Sequence, residues 1–201
     1  MKLRSIAAVG AASAVLVSSM ITSAAAADPT DVVVTGASSL GLTTVTAGNF
    51  TGITLDGSVK TTYAALDNFD ATDARGTGAG WNVTVQGTQF AEHNGTAYVA
   101  SGKTLPLNSM LLAVPTVAKK DSTSSALPTV SIGSSTAVDA SSAVKIASAA
   151  ADGTGMGSYT FTQGDLDTGT AGTQPLKLTV PASAYAKTYR SDVTVSIVSG
   201  P

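Results

Sequence analysis

Short runs in which apolar and polar residues alternate are the feature that most restricts the fold of this 201-residue chain. Side chains of an extended strand point to opposite faces in turn, so alternation predicts strands with one buried face. The runs are bounded by Gly, Pro, Asn and Asp, which are typical turn residues. Five runs carry the β-type pattern: Asp31–Thr35, Trp81–Gln86, Tyr159–Thr162, Leu176–Val180 and Tyr189–Ile197.

The composition of the chain after residue 27 agrees with a β-rich fold. Thr and Val, which favour extended backbone, are abundant, whereas charged helix formers are scarce. Many short half-buried strands predict an all-β protein, namely an antiparallel β-sandwich of a Greek-key, immunoglobulin-like or jelly-roll-like kind. The span Ala137–Ala151 is rich in Ala, but Val144-Lys145-Ile146 alternates within it, so a strand with loops is favoured there over a helix.

The first 27 residues have the architecture of a secretory signal peptide. Lys2 and Arg4 form a short basic region, an apolar run follows from Ile6 to Ile21, and Ala25-Ala26-Ala27 provides a small-residue cleavage site. The apolar run is interrupted by Ser and Thr, whereas a membrane span needs ~20 largely apolar residues. We therefore predict export, cleavage near Ala27, one all-β domain over residues 28–201, and no membrane segment after cleavage.

The inventory of reactive side chains excludes several classes of function. The chain has no Cys, one His (His93), one Glu (Glu92) and twelve scattered Asp, so disulfides, thiolate metal sites and cysteine nucleophiles are excluded. Removing Lys2 and Arg4 with the signal peptide leaves nine basic against thirteen acidic residues, a net charge of −4 that does not suit nucleic acid. We expect a non-enzymatic protein with no metal, no cofactor and no nucleic-acid partner.

Two similar glycine-rich loops are candidates for a ligand site. Gly76-Thr77-Gly78-Ala79-Gly80 leads to Trp81, and Gly153-Thr154-Gly155-Met156-Gly157 leads to Tyr159. Glycines at alternate positions permit positive φ, so these segments could form a pair of ligand loops or anion nests. Two tight turns that lead into equivalent strands are the favoured alternative. Neither segment has the spacing of a phosphate-binding or dinucleotide-binding motif.

Two polar clusters are interpreted as surface features. Asp67, Asp70 and Asp73 recur at every third position, unlike the alternate-position carboxylates of an EF-hand calcium loop, so we predict a solvated acidic loop. Glu92-His93 precedes Asn94-Gly95, which is a signal for a type I′ hairpin turn. We therefore expect His93 to be exposed at the tip of a hairpin.

Two motifs resemble those of the WxL-domain surface proteins of Gram-positive bacteria. Their closing motif has a Tyr followed, after three residues, by Leu-Thr-Trp-x-Leu and then Pro. In the segment from Tyr189 to Pro201, the matching residues are Tyr189, Thr194 and Pro201, Val193 and Ile197 replace the two Leu, and Val195 stands in place of the Trp. Upstream, Trp81-Asn82-Val83 resembles the Trp-x-Leu motif. The resemblance covers roughly residues 68–201, with firm matches at both ends.

The resemblance implies non-covalent attachment to the cell wall through peptidoglycan, often within multi-protein surface assemblies. It makes Trp81, Val83, Tyr189, Val193 and Ile197 candidate ligand-binding residues. Trp and Tyr can stack on sugar rings while their polar ends form hydrogen bonds. However, Trp81 shares a face with Val83 and with Val85, so core packing is favoured over direct ligand contact.

We therefore expect a secreted, cell-wall-associated binding module of a Gram-positive bacterium. Its expected partners are peptidoglycan or another wall polymer, and other surface proteins. Because no sorting tail for covalent anchoring follows Pro201, the attachment should be non-covalent. The alternative is a structural subunit of an extracellular fibre or matrix that assembles by strand exchange through its C-terminal strand. A secreted hydrolase would have to rely on Asp and hydroxyl groups or on His93.

Overall fold

The computed structural model describes residues 32–167 and 174–200, and these residues contain strands, turns and loops but no helix. The predicted signal peptide, residues 1–27, lies outside the described part. The strands are β1 (Leu40–Leu42), β2 (Lys60–Ala64), β3 (Phe69–Asp73), β4 (Trp81–Gly87), β5 (Ala91–Glu92), β6 (Met110–Ala113), β7 (Thr116–Lys119), β8 (Thr129–Val130), β9 (Ser135–Ala137), β10 (Val144–Ala149), β11 (Gly157–Thr162), β12 (Leu176–Val180), β13 (Tyr189–Arg190) and β14 (Val193–Ser199). The described residues accordingly include no helix long and apolar enough to cross a membrane.

The strands pair into four antiparallel sheets. Three sheets have four strands each, in the orders β1-β3-β11-β7, β14-β4-β10-β8 and β2-β12-β6-β9, and the fourth pairs β13 with β5. Neighbouring strands come from distant parts of the chain, as is usual in Greek-key sandwiches. The predicted fold class, an all-β antiparallel sandwich, is confirmed.

The inward residues of the alternating runs build the core. At most 5 % of the surface is exposed for Trp81, Val83, Val85, Tyr159, Phe161, Leu176 and Leu178. The Trp81 ring lies 6.2 Å from the ring of Tyr159 and 6.4 Å from that of Phe161, and Phe161 stacks on Phe69 at 4.8 Å. Burying such large rings contributes strongly to stability. The predicted strand within Ala137–Ala151 is also present, as β10.

Two of the predicted runs do not form the expected strand. Val32, Val33 and Val34 are 83 %, 89 % and 88 % exposed and belong to no strand, because high β-propensity does not fix a segment that lacks a pairing partner. The run from residue 189 to 197 is two strands in different sheets, β13 and β14. Between them the Ser191 hydroxyl donates to the carbonyl oxygen of Thr88, and the Asp192 N–H donates to the hydroxyl of Thr88.

The predicted solvated acidic loop is wrong for two of its three carboxylates, because only Asp67 is an exposed loop residue. Asp70 and Asp73 lie in β3, and their spacing of three places them on opposite faces of the sheet. Asp70 pairs with Lys120 on the outer face. Asp73, on the inner face, is 3 % exposed and forms an ion pair with Arg75 at 2.8 Å. Both carboxylates are therefore structural anchors rather than solvated charges.

Candidate functional site

The two strands that carry the sequence motifs are neighbours in one sheet. β4 and β14 pair along seven residues, with Val83 opposite Ile197 and Val85 opposite Val195. Ile197 and Val195 are half-buried and pack against the core, whereas Val83 is completely buried. The two motifs that carry the resemblance thus lie on two hydrogen-bonded strands in a fixed register.

Trp81 follows the first glycine-rich loop directly, contacts the second and is completely buried. Its Nε1–H donates to the carbonyl oxygen of Gly155 at 2.8 Å. The loops also bond to each other, since the Asp152 N–H donates to the carbonyl oxygen of Gly78 at 2.8 Å. Positive φ is found at Gly76, Gly78, Gly80, Gly153, Gly155 and Gly157, a conformation that residues with a Cβ rarely adopt. The two loops, which include Thr77 and Thr154, are therefore bonded to each other, and the second one holds the indole through Gly155; their use as ligand loops stays a prediction.

The end of β14 is hydrogen-bonded to the first glycine-rich loop and to the start of β4. The Gly200 N–H donates to the carbonyl oxygen of Gly80 at 3.1 Å, and Asn82 Nδ2 donates to the carbonyl oxygen of Gly200 at 2.7 Å. Arg75 donates to Gly80 and to Asp73, and this guanidinium holds the pKa of the Asp73 carboxyl below its ordinary value. We call this network and the two glycine-rich loops the glycine end.

The predicted ligand-binding residues are divided between the two ends of the β4–β14 pair. Val193 lies opposite Gly87, and Ser199 lies opposite Trp81. Seven residues of strand separate the ends by about 20 Å. Tyr189 and Val193 are therefore far from Trp81, and the structure does not bring the five candidate residues into one surface.

Glu92, the only Glu of the chain, organises the end that contains Tyr189. Its Oε2 accepts the backbone N–H of Lys103 at 3.0 Å, and its Oε1 pairs with Lys187 Nζ at 3.0 Å. These two donors, the backbone N–H first, hold the pKa of Glu92 below its ordinary value. Tyr189 is its partner across the β5–β13 pair, and burial, followed by the charge of Glu92, raises the pKa of the Tyr189 hydroxyl. Glu92 is thus a fixed, ionised acceptor at neutral pH.

Two exposed tyrosine rings lie around Glu92. Tyr185 is 58 % exposed, and Lys103 Nζ lies 4.5 Å from the centre of its ring, a cation–π contact. Tyr98 is 44 % exposed, and its hydroxyl donates to the Asp192 carboxylate at 2.7 Å. The Tyr189 hydroxyl donates to the carbonyl oxygen of Tyr185 at 3.0 Å. We use the name tyrosine end for Glu92, Tyr98, Lys103, Tyr185, Lys187 and Tyr189.

His93 is buried beneath this surface, contrary to the expectation of an exposed hairpin tip. It is 5 % exposed, its ring meets that of Tyr98 edge-on at 5.3 Å, and its Nδ1 accepts the Gly95 N–H at 3.0 Å. Tyr98 covers it because the two residues pair across the hairpin. Of Asn94 and Gly95 only Gly95 has positive φ, so the turn is present but is not type I′.

A groove of about 1030 Å³ opens beside the tyrosine end. Its walls are residues 47–55 and 184–193, so Tyr189 and Val193 line it. A smaller trough of about 430 Å³ lies along residues 102–106, and Tyr185 lines both depressions. Among the described residues, no three His, Asp or Glu side chains gather as a metal site requires.

Sequence patterns alone missed Tyr98, Tyr185 and Lys103. These residues lie outside any alternating run, and they come to the same end of the protein because β5 and β13 pair across nearly a hundred residues of sequence. The one sequence pattern that could have indicated an exposed ring was a Tyr in a segment without strand periodicity, because no periodic apolar face predicts its burial there.

Comparison with known families agrees with the motif interpretation. The family model described as "WxL domain surface cell wall-binding" matches residues 27–201. No curated protein and no solved structure matches the chain. The matched range includes both motif strands, the glycine end and the tyrosine end, and it confirms the predicted cell-wall-associated location. The chain belongs to the WxL domain family of surface, cell wall-binding domains.

Proposed function

We propose that this chain attaches non-covalently to peptidoglycan through the tyrosine end and catalyses no reaction there. The observation that carries the proposal is the pair of exposed, tethered rings of Tyr98 and Tyr185. The tryptophan of the Trp-x-Leu-like motif is completely buried, so it offers no ring to a ligand in this structure. Exposed aromatic rings in a soluble domain often mark a binding surface.

The surroundings of the two rings suit a glycan that carries amide and carboxylate groups. A tyrosine ring offers a flat apolar face for a sugar ring and a polar end for hydrogen bonding. Lys103 and Lys187 add ammonium donors within the same surface, which favours anionic and hydroxyl-rich ligands. Because polar partners already hold both tyrosines, little side-chain entropy is lost when a ligand binds.

The titratable groups of the tyrosine end are engaged in structural bonds, which supports a non-enzymatic role. Glu92 accepts two hydrogen bonds and its lowered pKa makes it a poor proton donor at neutral pH. His93 is buried, and its Nδ1 is used by Gly95. Release of soluble fragments from peptidoglycan by the wild type, and its loss in His93→Ala, would contradict this part of the proposal.

The binding surface can be tested by sedimentation with insoluble peptidoglycan freed of teichoic acids. Removing two stacking rings at about 0.5–1.5 kcal/mol each should weaken binding about 5- to 150-fold in Tyr98→Ala/Tyr185→Ala. Leu127→Ala is the control, since Leu127 is 45 % exposed beside Ala126, whose carbonyl oxygen accepts the Gly155 N–H at the glycine end. Equal binding by the double variant and the wild type would contradict the assignment.

Assembly into a fibre by exchange of the C-terminal strand stays a prediction that no specific contact favours. β14 is bonded to β4 along seven residues, and Asn82 holds Gly200 beyond its end. Exchange would have to break this pairing before a new one forms. Association with other surface proteins is likewise a prediction, and sedimentation velocity over a range of concentrations tests both.

A further inference from the structure

The groove beside the tyrosine end has a chemistry different from that of the exposed rings. Its accessible apolar lining consists of Phe50, Leu55 and Val193, which are half-buried, and Ile53, which is 37 % exposed. Beneath them the apolar core forms the floor of the groove, with side chains that are at most 6 % exposed: Phe90, Leu105, Met110, Leu176, Leu178 and Val180. A sugar ring presents hydroxyl groups around its edge, which an apolar floor cannot satisfy. The floor therefore suits alkyl groups better than it suits glycan.

The walls of the groove offer backbone hydrogen-bonding groups. Gly52, Ile53 and Thr54 on one wall are exposed and take part in no hydrogen bond within the described structure. On the opposite wall, Ala186 is also exposed and takes part in no hydrogen bond within the described structure. Unpaired main-chain groups above an apolar floor are the features by which proteins bind extended peptides, with the main chain giving affinity and the pockets taking alternate side chains.

The charges along the groove favour a peptide that carries carboxylates. Three charged residues line the groove, and two of them already have partners: Lys187 pairs with Glu92, and Asp192 accepts the Tyr98 hydroxyl. Arg190 is exposed, its guanidinium forms no hydrogen bond or ion pair within the described structure, and it can form a bidentate pair with a carboxylate. The groove therefore offers one unpaired cation to a carboxylate of the ligand, although the whole chain carries a net negative charge.

From these three features we infer that the groove binds the stem peptide of peptidoglycan, a short chain of small apolar residues with free carboxylates. This inference rests on the proposed function and divides the ligand between two surfaces. The glycan lies on Tyr98 and Tyr185, and the peptide enters the groove between residues 47–55 and 184–193. Tyr185, which lines the groove and also displays its ring, stands where the two parts of the ligand join.

The test compares the wild-type chain on two materials, intact peptidoglycan and the same glycan after an amidase has removed its stem peptides. We expect at least tenfold tighter binding to the intact material, and competition by a soluble disaccharide-peptide but not by the disaccharide alone. Equal binding to both materials would overturn the inference and leave wall attachment intact. Failure to bind either material would overturn the proposed function and, with it, the inference.

Two variants place the effect in the groove. Ile53→Asp puts a carboxylate on the wall, at a residue that is 37 % exposed, and should weaken binding to intact peptidoglycan at least fivefold without affecting the peptide-free glycan. Val59→Asp is the matched control, because Val59 is 61 % exposed and does not line the groove. Arg190→Gln should act like Ile53→Asp, with Lys145→Gln, on the outer face of β10, as its control.

A second copy of the chain is the competing occupant, since Val32–Val34 is exposed and could lie in the groove as an added strand. Sedimentation velocity separates the two cases. If the wild type associates with increasing concentration, Ile53→Asp abolishes that association, and wall binding is unchanged, the groove belongs to the second copy and the stem-peptide inference is wrong.

Discussion

Replacing Trp81 by Phe tests whether the tryptophan of the Trp-x-Leu-like motif acts through the fold. Trp81 is completely buried, and the only hydrogen bond of its indole is the 2.8 Å bond to the carbonyl oxygen of Gly155. The change removes two buried ring carbons, worth about 1.5 kcal/mol at about 0.8 kcal/mol for each buried carbon. It also leaves the buried Gly155 carbonyl without a donor, which costs about 1–3 kcal/mol.

The sum is a loss of about 2.5–4.5 kcal/mol from a free energy of unfolding that is usually about 5–15 kcal/mol. With a urea m-value of about 2 kcal/mol/M, the midpoint of unfolding should fall by about 1.2–2.2 M. Phe161→Leu is the matched control, because it removes a similar part of a buried ring that stacks on Phe69 but makes no hydrogen bond. The difference between the two variants measures the indole hydrogen bond.

Wall binding of Trp81→Phe should be unchanged at a urea concentration and temperature where circular dichroism shows it folded. A loss of less than 1 kcal/mol would refute the packing argument. A folded Trp81→Phe protein that binds peptidoglycan tenfold more weakly than the wild type would show instead that the indole contributes to recognition.

Two further predictions concern the glycine end. Arg75→Met leaves Asp73, 3 % exposed, without its cation and should cost about 3–5 kcal/mol at pH 7 in urea unfolding. Arg75 lowers the pKa of Asp73, so this stabilisation is present above the ordinary pKa of Asp and is lost as the pH falls through the lowered value. The destabilisation caused by Arg75→Met should therefore become smaller in acid. A loss of stability that does not depend on pH would contradict the ion-pair assignment. Gly155→Ala should destabilise far more than Gly153→Ala in thermal unfolding, since a Cβ at Gly155 would lie 2.7 Å from Trp81 Nε1 while one at Gly153 has no neighbour within 4 Å. Equal effects would mean that only backbone strain matters at these positions.

The central strands could be predicted from sequence because the alternation of apolar and polar residues along each strand shows which face is buried. In β4 and β12 every second residue is buried, and the alternation in the sequence records this directly. Val32–Val34 has β-branched residues too, but it pairs with no strand of the described part of the chain, and pairing is a property of the whole fold. The break at residue 191 escaped prediction because it depends on Thr88, which is about a hundred residues distant in sequence.

The candidate site was harder to predict than the fold. The family resemblance directed attention to Trp81 and Tyr189, which the register of β4 and β14 places toward opposite ends of the strand pair. The burial of His93 depends on Tyr98 from across a hairpin, so residue type alone suggested the opposite. The groove is assembled from residues 47–55 and 184–193, and no local pattern in either segment indicates the other.

Amide hydrogen–deuterium exchange of the mature chain, with and without solubilised peptidoglycan fragments, tests most directly where the wall ligand binds. We expect slowed exchange around Tyr98 and Lys103, along residues 184–190 and at residues 52–54, with no change at the glycine end. Protection confined to residues 76–81 and 153–157, with the tyrosine end unaffected, would contradict the assignment of wall binding to the tyrosine end.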